Sequence, residues 1–77
     1  MPIAFVLINT NMGSMEETLK ALNNISNVKE AYMVYGVYDI VAKVEAESMT
    51  KLKEIVTWKI RRLETVKSTL SMIVMSE

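Results

Sequence analysis

The residues Ile3-Ala4-Phe5-Val6-Leu7-Ile8 form an unbroken apolar run near the start of this chain, and no other feature narrows the choice of fold as much. The run is far too short to span a bilayer, which takes about 20 residues as a helix. Its β-branched and aromatic content predicts a strand over Ile3–Thr10. Successive strand side chains point to opposite faces, so Ile3, Phe5 and Leu7 share one face while Ala4, Val6 and Ile8 share the other. Both faces are apolar. Val37–Val44 repeats the arrangement, with Tyr38, Ile40, Ala42 and Val44 on one side and Val37 and Val41 on the other. An antiparallel sheet with one face in water alternates apolar and polar residues; a sheet built from these strands needs cover on both faces.

The rest of the chain covers one of them. Asn9-Thr10-Asn11-Met12-Gly13 breaks the first strand, and Ser14-Met15-Glu16-Glu17 has the form of a capping box, with the Ser14 hydroxyl accepting from the Glu17 N–H and the Glu17 side chain reaching back. Met15, Leu19, Leu22 and Ile25 then recur at helical spacing, predicting a helix over Met15–Asn23. Val28–Tyr35 and Val37–Val44 follow as strands on either side of Gly36. Ser48 is the next cap, and Met49, Leu52, Val56, Ile60 and Leu63 form the stripe of a second helix over Met49–Leu63. Lys59 falls on the apolar side of that helix, where a lysine stem snorkels. Lys67–Met75 closes the chain as a strand, with Thr69, Ser71, Ile73 and Met75 on one face and Leu70, Met72 and Val74 on the other. The order β-α-β-β-α-β, without an internal linker, predicts one α+β domain over residues 1–77. Its fold is the ferredoxin-like split βαβ: a four-stranded antiparallel sheet with strands one and three central and two helices on one face. The face left bare is expected to pack on a second copy, giving a dimeric α/β sandwich.

Composition favours the same outcome. A domain of 77 residues buries only about 60% of the surface its unfolded chain exposes, and with no cysteine it has no disulfide or thiolate staple. Histidine is absent too, which removes the commonest general base and zinc ligand; no metal and no cofactor are expected. Nine basic and nine acidic residues cancel, so no overall field draws the chain to nucleic acid or to an anionic membrane. No signal-peptide pattern precedes the first strand, and the chain is expected to be cytoplasmic. The seven methionines sit mostly in core registers, as adaptable gap fillers.

Tyr35-Gly36-Val37-Tyr38-Asp39 is the candidate site. A tight hairpin here needs a residue that tolerates positive φ, and Gly36 meets that need. It would set exposed backbone N–H groups beside a carboxylate, an arrangement suited to a small zwitterion: amides for its carboxylate, Asp39 for its ammonium. The same residues also read as an ordinary turn with a solvated acid.

With the topology in view, two segments resemble the ligand-binding and oligomerisation domain of the Lrp/AsnC (leucine-responsive, feast/famine) transcription regulators, often called the RAM domain. Val28–Ile40 is similar to that family's Val-x-x-x-x-x-x-x-Gly-x-Tyr-Asp, and Val66–Val74 is similar to its Val-x-x-Thr-x-Thr closing strand. The resemblance covers essentially the whole chain. It implies homodimers that assemble into higher even-numbered oligomers and bind a free amino acid in clefts between dimers. By position, Gly36 and Val37 would offer backbone contacts, Tyr38 would wall the pocket, Asp39 would pair with the ammonium, and Thr69 and Ser71 would supply hydroxyls. The first strand begins at residue 3, whereas the family usually has helix-turn-helix residues ahead of this domain. The resemblance thus implies a stand-alone form that does not bind DNA itself and acts through full-length regulators. Thr65 stands where a glycine often precedes the closing Val, and Ser71 replaces a Thr.

Three rival readings share the topology. Small cofactor-free dimeric α+β barrel enzymes need a base near neutrality, for which only Asp39, glutamates, tyrosines or Lys59 are at hand, so the chain is read as a non-enzyme. ACT-type regulatory domains place an amino acid near the first strand–helix loop, where Asn11-Met12-Gly13 departs from the glycine-centred loop expected. A purely structural assembly subunit would have the same cleft. Outside the site, Trp58 lies on the flank of helix two, either as an interface anchor or over a neighbouring helix. Lys51, Lys53, Lys59, Arg61, Arg62 and Lys67 give helix two and its exit a basic face, read as solvated.

Overall fold

Strand β1 (Ile3–Thr10) lies between β3 (Ile40–Glu45) and β4 (Val66–Ile73), with β2 (Val28–Met33) outside β3, in the computed structural model, which describes residues 1–75. The last two residues of the expected 1–77 span lie outside that range. All three pairings are antiparallel and the strand order is β2-β3-β1-β4. Helices α1 (Met15–Asn23) and α2 (Met49–Ile55) cover one face. This is the ferredoxin-like α+β fold, with strands one and three in the centre.

The inner face follows from the alternation in the sequence. Ala4, Val6 and Ile8 of β1 and Ile40, Ala42 and Val44 of β3 are fully buried against Leu22, Leu52, Ile55 and Ile60. Each large side chain in that layer contributes about 1.5–3 kcal/mol by leaving water. On the opposite face no helix among the described residues lies over the sheet. There Phe5 sits across from Lys43 and Met72, and Leu7 across from Val41 and Leu70. Phe5, Tyr32, Leu70 and Met72 are left 37%, 56%, 48% and 48% exposed. Toward the β2 edge the face turns polar, where Lys43 pairs with Glu30 at 3.7 Å and the Tyr32 hydroxyl donates to Glu30 Oε1 at 2.6 Å.

Several local expectations are corrected. The strands around Gly36 do not meet in a tight hairpin: β2 ends at Met33, β3 begins at Ile40, and residues 34–39 form a loop closed by the Val34 N–H donating to the Asp39 carbonyl at 2.8 Å. Gly36 is not at positive φ; Gly13, at φ 78°, is the glycine in that region. Strand propensity counts only where side chains find neighbours, and Tyr35 and Val37 project into solvent. The capping box does not form either. The Ser14 side chain makes no cap bond, and instead its carbonyl accepts from both the N–H and the hydroxyl of Thr18. Ser48, by contrast, does cap α2, its hydroxyl accepting from the Lys51 N–H at 3.1 Å.

The second helix ends at Ile60 rather than Leu63, because α2 runs on into a π-helical turn, Val56–Ile60. A π turn closes on the fifth residue, here through the Arg61 N–H and the Val56 carbonyl at 2.9 Å. Ile60, on the expected apolar stripe, is buried, and the neighbouring Lys59 is exposed. None of the methionines is buried, and Met12, Met33, Met49 and Met72 are open to solvent; they line the surface instead of filling the core.

Candidate functional site

Asp39 stands where the 34–39 loop rejoins the sheet. Its backbone N–H donates to the Ile8 carbonyl at 3.0 Å, anchoring it to the central strand. Its side chain crosses to the end of β1, where Oδ2 accepts from the Thr10 N–H at 2.8 Å and the Thr10 hydroxyl at 3.3 Å. Both donors are close to the interior, since Thr10 is only 8% exposed, so the carboxylate is held in one position. Oδ1 takes no hydrogen bond among the described residues. The carboxylate opens onto a cleft shared with Asn11, Gly13 and Glu16 at the start of α1. Asn11 is itself fixed to the approach of β4, its N–H on the Thr65 carbonyl at 2.9 Å and its amide on the Glu64 carbonyl at 3.1 Å.

Thr69 and Ser71 lie elsewhere. Thr69 pairs with Ile8 and Ser71 with Val6 across β1, placing both hydroxyls on the helix side of the outer strand. They line a groove of about 360 Å³ between β4 and the second helix. Asp39 and Thr69 flank Ile8 from opposite sides, two strand spacings or about 10 Å apart. The Asp39 cleft and the Thr69 groove have no lining residue in common. One chain therefore brings Thr69 and Ser71 together but not to Asp39. Gly36 and Val37 are exposed on the loop and line neither space, and Tyr38 is half-buried at its root.

Two parts of this geometry were hidden in the sequence. Thr10 as the partner of Asp39 is 29 positions away, and no local pattern signals it. The strand–helix loop at Asn11–Gly13 has an unpromising sequence, yet it abuts Asp39. Trp58 is 61% exposed, and the Arg62 guanidinium sits 5.0 Å from its ring centre. No described helix is long and apolar enough to cross a membrane.

The family described as "Lrp/AsnC ligand binding domain" matches residues 3–77. Among curated proteins, the proline dehydrogenase transcriptional activator of Rhizobium radiobacter is 30% identical over 69 residues, which are 90% of this chain and 44% of the activator. Among solved structures, a hypothetical protein from Pyrococcus horikoshii is 39% identical with a TM-score of 0.93, covering 100% of this chain and 93% of that one. AsnC of E. coli is 27% identical with a TM-score of 0.91, covering 99% of this chain and 52% of AsnC. This chain thus spans about half the length of the named regulators it resembles.

Proposed function

The chain belongs to the Lrp/AsnC ligand-binding domain family, and from that premise we propose a self-assembling regulatory module that binds a free amino acid and acts on transcription regulators of the same family by co-assembly. The observation that carries this reading is the bare apolar sheet face around Phe5, Leu7, Leu70 and Met72. Exposed apolar surface of this extent marks an interaction site, and a second copy supplies a matching face through two-fold symmetry.

In this reading Asp39, steadied by Thr10, takes the ligand's ammonium on its free Oδ1. Gly36 and Val37 offer backbone groups to the ligand carboxylate, and Tyr38 walls the pocket. Thr69 and Ser71 reach the ligand from a neighbouring subunit, because within one chain they lie too far from Asp39. A site completed by two subunits couples ligand to assembly, since a ligand shifts an equilibrium only through its different affinities for the two states. The cofactor-free enzyme reading gains no observation: the buried polar side chains among the described residues are Thr10 and Thr18, neither an acid nor a base at neutral pH.

Calorimetric titration with each of the twenty amino acids tests the site. Binding of at least one to the wild-type chain, lost in Asp39→Asn with the oligomer intact, is the expected result. Equal affinity in the variant would remove Asp39 from the site.

A further inference from the structure

The groove that holds Thr69 and Ser71 also holds two cations. Lys53, Thr57 and Arg61 line it from the second helix and its continuation, with the two hydroxyls contributed by the strand. Lys53, Thr57, Arg61 and Ser71 are exposed, whereas Leu52 and Val56, which also line the groove, are buried. No acidic residue lines it. Among the described residues neither Lys53 nor Arg61 pairs with a carboxylate; the ion pair formed is the one between Lys43 and Glu30. The Asp39 cleft has the opposite character, since Asp39 and Glu16 line it and no lysine or arginine does.

We infer, resting on the amino-acid site proposed above, that its ligand carries an acidic side chain and that Lys53 and Arg61 select it. In that site Asp39 takes the ammonium, the backbone of Gly36 and Val37 takes the α-carboxylate, and a neighbouring subunit brings Thr69 and Ser71. The ligand group left to meet those hydroxyls is the side chain. Whatever reaches Thr69 and Ser71 enters the space that Lys53 and Arg61 line, because all four residues share one groove.

Charge decides which side chain fits. A carboxylate there meets a guanidinium whose planar fork matches its two oxygens, together with the Lys53 ammonium and the hydroxyls of Thr57, Thr69 and Ser71. Its methylenes rest on Leu52 and Val56. The amide of glutamine turns two N–H groups toward the same donors and satisfies only part of them. A leucine side chain uses the apolar lining but pairs neither cation, and a lysine or arginine side chain adds a third positive charge. The same two residues that leave helix two looking like a solvated basic face therefore set specificity for glutamate or aspartate.

The test is calorimetric titration of the whole chain with each of the twenty amino acids, on wild type, Arg61→Gln and Lys53→Gln. Lys53 and Arg61 are both exposed, so their neutral replacements leave the core intact, which the thermal midpoint verifies. Glutamate or aspartate is expected to bind wild type about tenfold or more tighter than its amide or leucine, the worth of one charge-assisted contact. Arg61→Gln is expected to erase most of that preference and Lys53→Gln part of it, with the affinity for glutamine held within about threefold. An acidic amino acid bound no tighter than its amide or leucine, or a preference that survives both substitutions, would overturn the assignment and leave the amino-acid site standing. Equal losses of glutamate and glutamine in Arg61→Gln would also overturn it, since the arginine would then not read the charge. Binding of no amino acid at all would remove the site and its specificity together.

Discussion

Thr10 gives both its backbone N–H and its hydroxyl to one oxygen of Asp39, at 2.8 and 3.3 Å, across 29 positions of sequence. The acid at the end of the 34–39 loop is therefore a structural tie before it is anything else. Its replacement separates two roles. Asp39→Ala strands two nearly buried donors and is expected to destabilise the fold by about 1–3 kcal/mol. Asp39→Asn keeps an acceptor for Thr10 and is expected to stay within about 1 kcal/mol of wild type while losing any ammonium ligand. Chemical denaturation distinguishes the two; equal destabilisation by both would mean that the charge, not the acceptor, holds the loop.

The glycines make opposite predictions. Gly13 sits at φ 78°, where a Cβ costs about 1–2 kcal/mol, so Gly13→Ala lowers stability by that amount. Gly36 has no positive φ and open space where a Cβ would stand, so Gly36→Ala is expected to be neutral or to stabilise by up to about 1 kcal/mol through the unfolded chain. Thermal melts of the two variants check this. A large loss at Gly36 would restore the tight turn that the fold lacks.

These two cases show what sequence reveals here and what it conceals. The alternation in Ile3–Ile8 and in Ile40–Val44 is a repeat set by the strand itself, so the inner face and the bare outer face follow from local pattern, while strand order follows from the β-α-β-β-α-β order of elements and its right-handed crossovers. The helix over Met15–Asn23 follows in the same way from a spacing. The 34–39 loop does not, because β-propensity in Val34, Tyr35 and Val37 has no packing partner to reward it. The π turn at Val56–Ile60 is equally silent, since the residues that make it also suit an α-helix. The two halves of the candidate site are legible as residues, but their separation across β1 is a matter of strand order.

Thr65 marks another departure that the fold explains. Its hydroxyl lies 2.6 Å from that of Thr18, which is fully buried and 2.7 Å from the Ser14 carbonyl. Thr18 has one proton, given to Ser14, and it accepts the proton of Thr65; α1 is thereby tied to the start of β4. Thr18→Val removes both bonds and is expected to cost about 1–2 kcal/mol, or roughly 4–8 °C in melting temperature per kcal/mol for a domain of this size. Thr65→Val removes one bond from a half-buried residue and costs less. An unchanged melting temperature in Thr18→Val would contradict the tie.

Tyr32 reports on the outer sheet face. Its hydrogen bond to Glu30, and after that the negative charge of Glu30, hold its phenol above the ordinary tyrosine value of 10.0. A raised folded pKa stabilises the fold below the unfolded value, and the contribution is lost as pH rises through the folded one. Glu30→Ala removes both the acceptor and the charge, and should bring the phenolate absorbance transition of Tyr32 down toward the ordinary value of 10.0. A transition that does not move would mean that the bond is absent in solution.

Native mass spectrometry of the purified chain, with and without the twenty amino acids and with Leu7→Lys as control, decides whether the bare sheet face and a ligand govern assembly. The expected result is an even-numbered assembly that gains ligand mass or changes subunit number, and a Leu7→Lys variant reduced to monomer. A wild-type monomer, or an assembly indifferent to every amino acid, would contradict it.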